Sequence, residues 1–230
     1  TLAAVPSTQA NAPEFARQLS SALEKWKAAG KRGIWLKVPK ALSALIEAAV
    51  QLEFDFHHAQ PGYVMLTKWL PSTPCPLPAY PHHQAGVGGL VLDSKDRVLV
   101  VQEKSGPTAG YRDFWKLPGG HVDRLEDIAT AAVREVLEET AVKTTFDCIG
   151  AFREGHAGPF GCSDMYFVCV LTLDSQYTEA PEPIPQPGEV VAAEWQDVTT
   201  FLSSKYFQAG LFGSLMHTAV QVALDRRQGP

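Results

Sequence analysis

A chain of 230 residues with ordinary hydrophobic content can bury a full core, in one large domain or in a main domain with a smaller companion. Its net charge of −5 offers no basic surface to neutralise a phosphate backbone, which argues against a dedicated nucleic-acid binder but not against an enzyme that meets phosphates through bound divalent cations. No apolar run approaches the roughly 20 residues that span a bilayer, and Cys75, Cys148, Cys162 and Cys169 form no C-x-x-C pair, so no membrane span, zinc site or disulfide framework is indicated. A cytoplasmic location is expected; Thr1 in place of Met leaves a removed organelle-targeting segment open.

In chain order, Pro13 to Ala29 place Phe15, Leu19, Ala22, Leu23 and Trp26 on one helical face, with Gly30 at the C-terminal cap. Gly33 to Val38 reads as a buried strand, Lys40 to Leu52 as a second helix and Gly62 to Leu70 as another strand, together a small α/β domain over residues 1–70. The stretch Pro71 to Pro78 carries four prolines, which remove backbone donors and favour extension; residues 71–81 are read as a linker.

A mixed α/β domain is expected over 82–230. Ala85 to Leu92 and Arg97 to Gln102 flank the polar turn Asp93-Ser94-Lys95-Asp96, the pattern of a hairpin. A helix from about Glu126 to Thr140 follows, then strands over Lys143 to Phe152, Met165 to Leu173 and Glu189 to Trp195. Pro181 to Gly188 is a loop between the last two strands, and short helices near Val198 to Ser203 and Gly213 to Arg226 close the chain.

The segment that carries chemistry runs from Gly119-Gly120 into a carboxylate-rich helix. Ala129, Ala132, Val133 and Val136 form one apolar stripe, which orients that helix on the core. Glu135, Glu138 and Glu139 then project from a second face within one turn, where like charges repel by a few tenths of a kcal/mol per pair, and more when buried. Hard divalent cations relieve that repulsion, and magnesium takes just such oxygen donors while keeping waters and substrate phosphates in its shell. Taken alone, three glutamates at this spacing are more often a solvated helix face.

The whole segment, however, resembles the Nudix box, G-x(5)-E-x(7)-R-E-U-x-E-E-x-G-U, with U a bulky aliphatic residue. Gly120, Glu126, Arg134, Glu135, Val136, Glu138, Glu139 and Val142 stand at the required offsets. Ala141 replaces the glycine that lies just past the helix, where a positive φ is often needed, and is expected to shift the helix exit slightly. The resemblance implies an α/β/α sandwich with a mixed sheet and a pyrophosphatase using Mg2+ or Mn2+. It implies metal-facing roles for Glu135, Glu138 and Glu139 with the Gly119 carbonyl, and a supporting ion pair between Glu126 and Arg134.

Segments such as Phe56-His57-His58-Ala59, Lys68-Trp69-Leu70, His83-Gln84-Ala85-Gly86-Val87 and Ser163-Asp164-Met165-Tyr166 are similar to the Nudix subgroup with an N-terminal pre-Nudix α/β domain. That subgroup holds plant enzymes acting on ADP-ribose and NADH and an animal protein encoded antisense to a fibroblast growth factor. The implied substrate is a small nucleoside diphosphate linked to another moiety, ADP-ribose or NADH foremost, with no nucleic-acid or membrane partner and with a homodimer as the assembly. Arg153, His156 and Phe160 are candidates to bind phosphate and stack on a base, against simple loop solvation. Glu189 is a candidate extra ligand or general base, against a strand-start glutamate, and His57 and His58 are assigned no chemistry. The alternative function is a Nudix-derived binding or regulatory protein with weak or no catalysis.

Overall fold

The structure, a computed structural model, describes residues 2–4, 11–105, 111, 113–156 and 158–228. The chain divides into two compact units, Thr1–Pro81 and His82–Pro230. Among the described residues no helix is long and apolar enough to cross a membrane.

In the first unit, helix α1 (Ala12–Ala28) follows strand β1 (Leu2–Ala4) and is capped by the Asn11 side chain, which accepts from Glu14 N at 3.0 Å. Its Phe15, Leu19 and Leu23 bury against Ile34, Leu36 and Val38 of β2 (Gly33–Pro39), as the apolar spacing predicts. The second expected helix is broken into a 3-10 segment, Lys40–Leu45, and α2 (Ile46–Gln51), with non-helical torsions at Leu42. Neither segment has a side-chain cap, so nothing fixes a continuous α-helical start. The sheet order is β1-β2-β4-β3, with β3 at Asp55–Gln60 and β4 at Tyr63–Trp69. Strand β3 is absent from the sequence expectations; its half-exposed polar residues and bulge between Phe56 and His58 blur any alternation.

The proline-rich stretch has no regular structure of its own and lies along this unit. His57 Nε2 is 2.9 Å from the Pro78 carbonyl, Tyr80 stacks on His58 at 4.6 Å, and the Tyr80 hydroxyl accepts from Gln60 Nε2 at 2.7 Å.

The second unit is an α/β/α sandwich. Strand β5 (His83–Val91) pairs in parallel with β8 (Ser163–Leu173), which pairs antiparallel with β7 (Thr144–Gly155); β6 (Arg97–Glu103) pairs antiparallel with β9 (Val190–Asp197). Alternation sorts the core into two layers. Val87, Val91, Leu99, Cys169 and Leu171 pack towards α3 (Ile128–Thr140), whereas Leu90, Val98, Val100, Val168 and Val170 pack towards α5 (Gly210–Arg227). A short helix, α4 (Val198–Leu202), joins β9 to the region of α5, which at 18 residues is longer than the expected short helix.

The expected hairpin between β5 and β6 is not formed. The turn is real, with Asp93 Oδ1 accepting from the Lys95 and Arg97 amides at 2.9 Å and Asp93 N donating to the Arg97 carbonyl at 2.9 Å, yet among the described residues the pairing goes no further than the isolated bridge Leu92↔Val98. Beyond it their facing edges are taken by the segment that precedes α3. Lys116 exchanges both backbone bonds with Val101, at 2.9 and 3.0 Å, while Gly89 N and Val87 N donate to the Pro118 and Gly120 carbonyls at 2.8 and 2.9 Å. Each strand edge can satisfy one partner, and this segment holds both.

Candidate active site

Helix α3 lies close on β5 because Gly89 leaves it room: a Cβ there would fall 2.3 Å from Val136 Cγ2, and Val136 is fully buried. With Ala131 and Ala132 also buried, the carboxylate face turns towards the Lys116–Val122 segment. The helix starts at Ile128, so Glu126 precedes it instead of opening its first turn. It ends at Ala141, whose φ of 58° and ψ of 10° are the left-handed exit that glycine takes without strain.

The segment itself depends on close approach. A Cβ on Gly119 would fall 2.0 Å from the Val87 carbonyl oxygen, and one on Gly120 would fall 2.7 Å from Glu135 Oε1. This brings the Gly119 amide to Glu139 Oε2 at 2.9 Å.

Arg134 organises the remaining carboxylates. It meets Glu126 through two parallel bonds, Nε to Oε1 at 2.8 Å and Nη2 to Oε2 at 2.9 Å, and Nη1 reaches Glu135 Oε1 at 2.8 Å and Glu138 Oε2 at 3.1 Å. The Arg134 bonds, with the Asp123 amide, hold the Glu126 carboxyl down at about 2. Glu135 behaves oppositely: burial pushes it up, and the Arg134 guanidinium offsets only part of this. Burial likewise pushes Glu139 up, against the Lys116 ammonium and the Gly119 amide. Glu138 is the exposed member, with 48% of its side chain accessible.

Three further residues belong here that sequence reasoning missed. Lys116 Nζ is 2.7 Å from Glu103 Oε1, 3.0 Å from the Gly119 carbonyl and 3.6 Å from Glu139 Oε1. Glu103 ends β6 four residues after Leu99, which packs in the layer turned to α3, so the alternation of that strand could have found it. The third is Tyr166 on β8, packed against Gly86 and Gly88 of β5; burial, then the Glu139 charge, push its hydroxyl up.

Of the loop candidates, Arg153 pairs with Asp164 at 2.9 Å and lies 5.8 Å from the Tyr166 ring centre. His156 Nδ1 meets Ser163 Oγ at 3.0 Å, and Phe160 is 99% exposed. Glu189 sits exposed before β9, its carbonyl accepting from Lys104 N at 2.8 Å; among the described residues no bond joins its carboxylate to the box. Also among the described residues, no three carboxylate, imidazole or thiol groups converge tightly enough to hold an ion unaided. The chain's own cations, Arg134 and Lys116, draw the box carboxylates to themselves.

A mixed-sheet sandwich carrying this glycine-to-glutamate box defines the class: the chain belongs to the Nudix hydrolase family. The NUDIX domain model matches residues 82–212 and a Nudix hydrolase domain model matches residues 3–70. Nudix hydrolase 2 of Arabidopsis thaliana is 43% identical over 194 residues, 84% of this chain and 68% of that protein. The protein named nucleoside diphosphate-linked moiety X motif 6 in Homo sapiens is 41% identical over 214 residues, 88% of this chain and 65% of that one. Among solved structures, the MutT protein from Methanosarcina mazei Go1 aligns with a TM-score of 0.48 at 17% identity, covering 65% of this chain and 98% of that chain. The chain spans from 50% to 68% of the length of these curated relatives and their kin.

Proposed function

We propose that the chain hydrolyses the phosphoanhydride of a nucleoside diphosphate linked to another moiety, ADP-ribose or NADH foremost, with Mg2+ or Mn2+ at the box. One observation carries this reading: Glu135 and Glu139 are carboxylates in surroundings that disfavour their charge, and both are turned towards positive groups beside the Gly119 carbonyl, which also faces the Lys116 ammonium. An all-oxygen donor set of this kind fits a hard divalent cation. Bound to Glu135, Glu138, Glu139 and the Gly119 carbonyl, such a cation supplies charge neutralisation at the diphosphate and acidifies a water.

The chain's own groups do the rest. The bidentate Glu126–Arg134 pair holds the guanidinium, which in turn fixes Glu135 and Glu138. Arg153, paired with Asp164 and 5.8 Å from the Tyr166 ring centre, would receive a phosphate or a base on the β7–β8 side, with His156 and Phe160 in the adjoining loop. Glu189 is kept as the candidate base.

The test is release of AMP from ADP-ribose and NADH with Mg2+ or Mn2+, wild type beside Glu138→Gln. Turnover by the wild type, reduced at least about 100-fold in the variant, supports the reading; equal turnover in both removes Glu138 from the site. The second reading, a binding or regulatory protein, is favoured by the way Arg134 and Lys116 engage the carboxylates. It prevails if ADP-ribose binds by calorimetry and no diphosphate is cleaved.

A further inference from the structure

Lys116 is anchored through its backbone to Val101 on β6 and through its ammonium to oxygens of three different segments. Two of these, the Gly119 carbonyl at 3.0 Å and Glu139 Oε1 at 3.6 Å, are atoms assigned above to a divalent cation. The third, Glu103 Oε1 at 2.7 Å, belongs to a residue outside the box. With 16% of its side chain exposed, Lys116 relies on these oxygens in place of water.

We propose that Lys116 is a place-holding cation for the box, and that Glu103 is the positioning carboxylate that retains its ammonium once a divalent ion takes Gly119 and Glu139. The inference rests on the metal reading above. An ammonium and a divalent ion gathered on the same two groups repel each other, so loading the site weakens two of the three contacts of Lys116. A nearly buried ammonium left without a partner is unfavourable; Glu103 removes that penalty because it already makes the shortest of the three contacts. In the absence of metal the same lysine compensates Glu139, which otherwise has the Gly119 amide beside it and the like charges of Glu135 and Glu103 nearby. The arrangement therefore exchanges some metal affinity for a stable metal-free state.

Two substitutions should move metal affinity in opposite directions. Titrating Mn2+ into the whole chain, followed by loss of the free-ion paramagnetic signal, gives the dissociation constant directly and without turnover. Lys116→Met should bind Mn2+ about tenfold more tightly, since a unit charge a few ångströms away is removed, while its melting temperature in EDTA falls. Glu103→Gln should bind Mn2+ several-fold more weakly, because the ammonium then has Glu139 and Gly119 as its remaining partners. A lysine with a merely structural role would lower the melting temperature without this reversal. Unchanged or weaker binding by Lys116→Met overturns the proposal; should that variant fail to fold, unchanged or tighter binding by Glu103→Gln overturns it equally. A wild type that binds no Mn2+ overturns the metal reading and this inference together, whereas a wild type that binds, with variants that do not shift, overturns the inference alone.

Discussion

Gly120 stands so close to Glu135 that a single added carbon would fall 2.7 Å from the Oε1 of that carboxylate. The obstacle is the far end of a side chain, so the fold can yield where the chemistry cannot. Gly120→Ala should leave the melting temperature nearly unchanged while displacing Glu135 and lowering kcat/KM by about tenfold or more. Thermal melts beside steady-state kinetics check this, and full activity would remove Glu135 from the reaction.

The neighbouring glycine should behave differently. At Gly119 the added carbon would fall 2.0 Å from the Val87 carbonyl oxygen and 2.8 Å from Gly88 Cα, both backbone atoms of β5. Gly119→Ala should therefore destabilise the second unit by about 1–3 kcal/mol, as overpacking does. Urea unfolding measures it; a loss no larger than that of Gly120→Ala would contradict the close packing described.

Ala141 carries a φ of 58° without being glycine, the position at which the sequence departs from the box. A non-glycine residue there costs about 1 kcal/mol, so Ala141→Gly should raise stability by that order and the melting temperature by about 2–4 °C. None of the proposed metal-facing carboxylates is touched, and kinetics should stay near wild type. A lower melting temperature would show that the helix exit is not strained.

The Glu126 carboxyl is held at about 2 by Arg134 and the Asp123 amide, below the ordinary 4.5. A carboxyl whose folded pKa is depressed stabilises the fold fully above its unfolded value and loses that contribution as pH falls through the folded value. Glu126→Gln should therefore melt below wild type at pH 6, and the gap should close between pH about 4.5 and about 2. A gap constant with pH would mean that the pair does not depend on the Glu126 charge.

The spacing of the sequence by itself determined the amphipathic face of α1, most strand positions and the contiguous box from Gly120 to Val142, because helical and strand periodicities are local; on α3 it found Ala132, Val133 and Val136 of the core face but took Ala129 where the structure buries Ala131. It also pointed to a left-handed exit after α3, where Ala141 stands for glycine. What tertiary structure decided was which edges meet. A polar turn between two apolar runs suggests a hairpin, but the Lys116–Gly120 segment takes the inner edges of β5 and β6 and sends them to β8 and β9. The same insertion carries Lys116 onto Glu103 and Glu139, residues far from it in the chain. Hydrogen bonding along a strand edge and the meeting of distant charges depend on what else competes for the same groups, and that competition is settled in three dimensions.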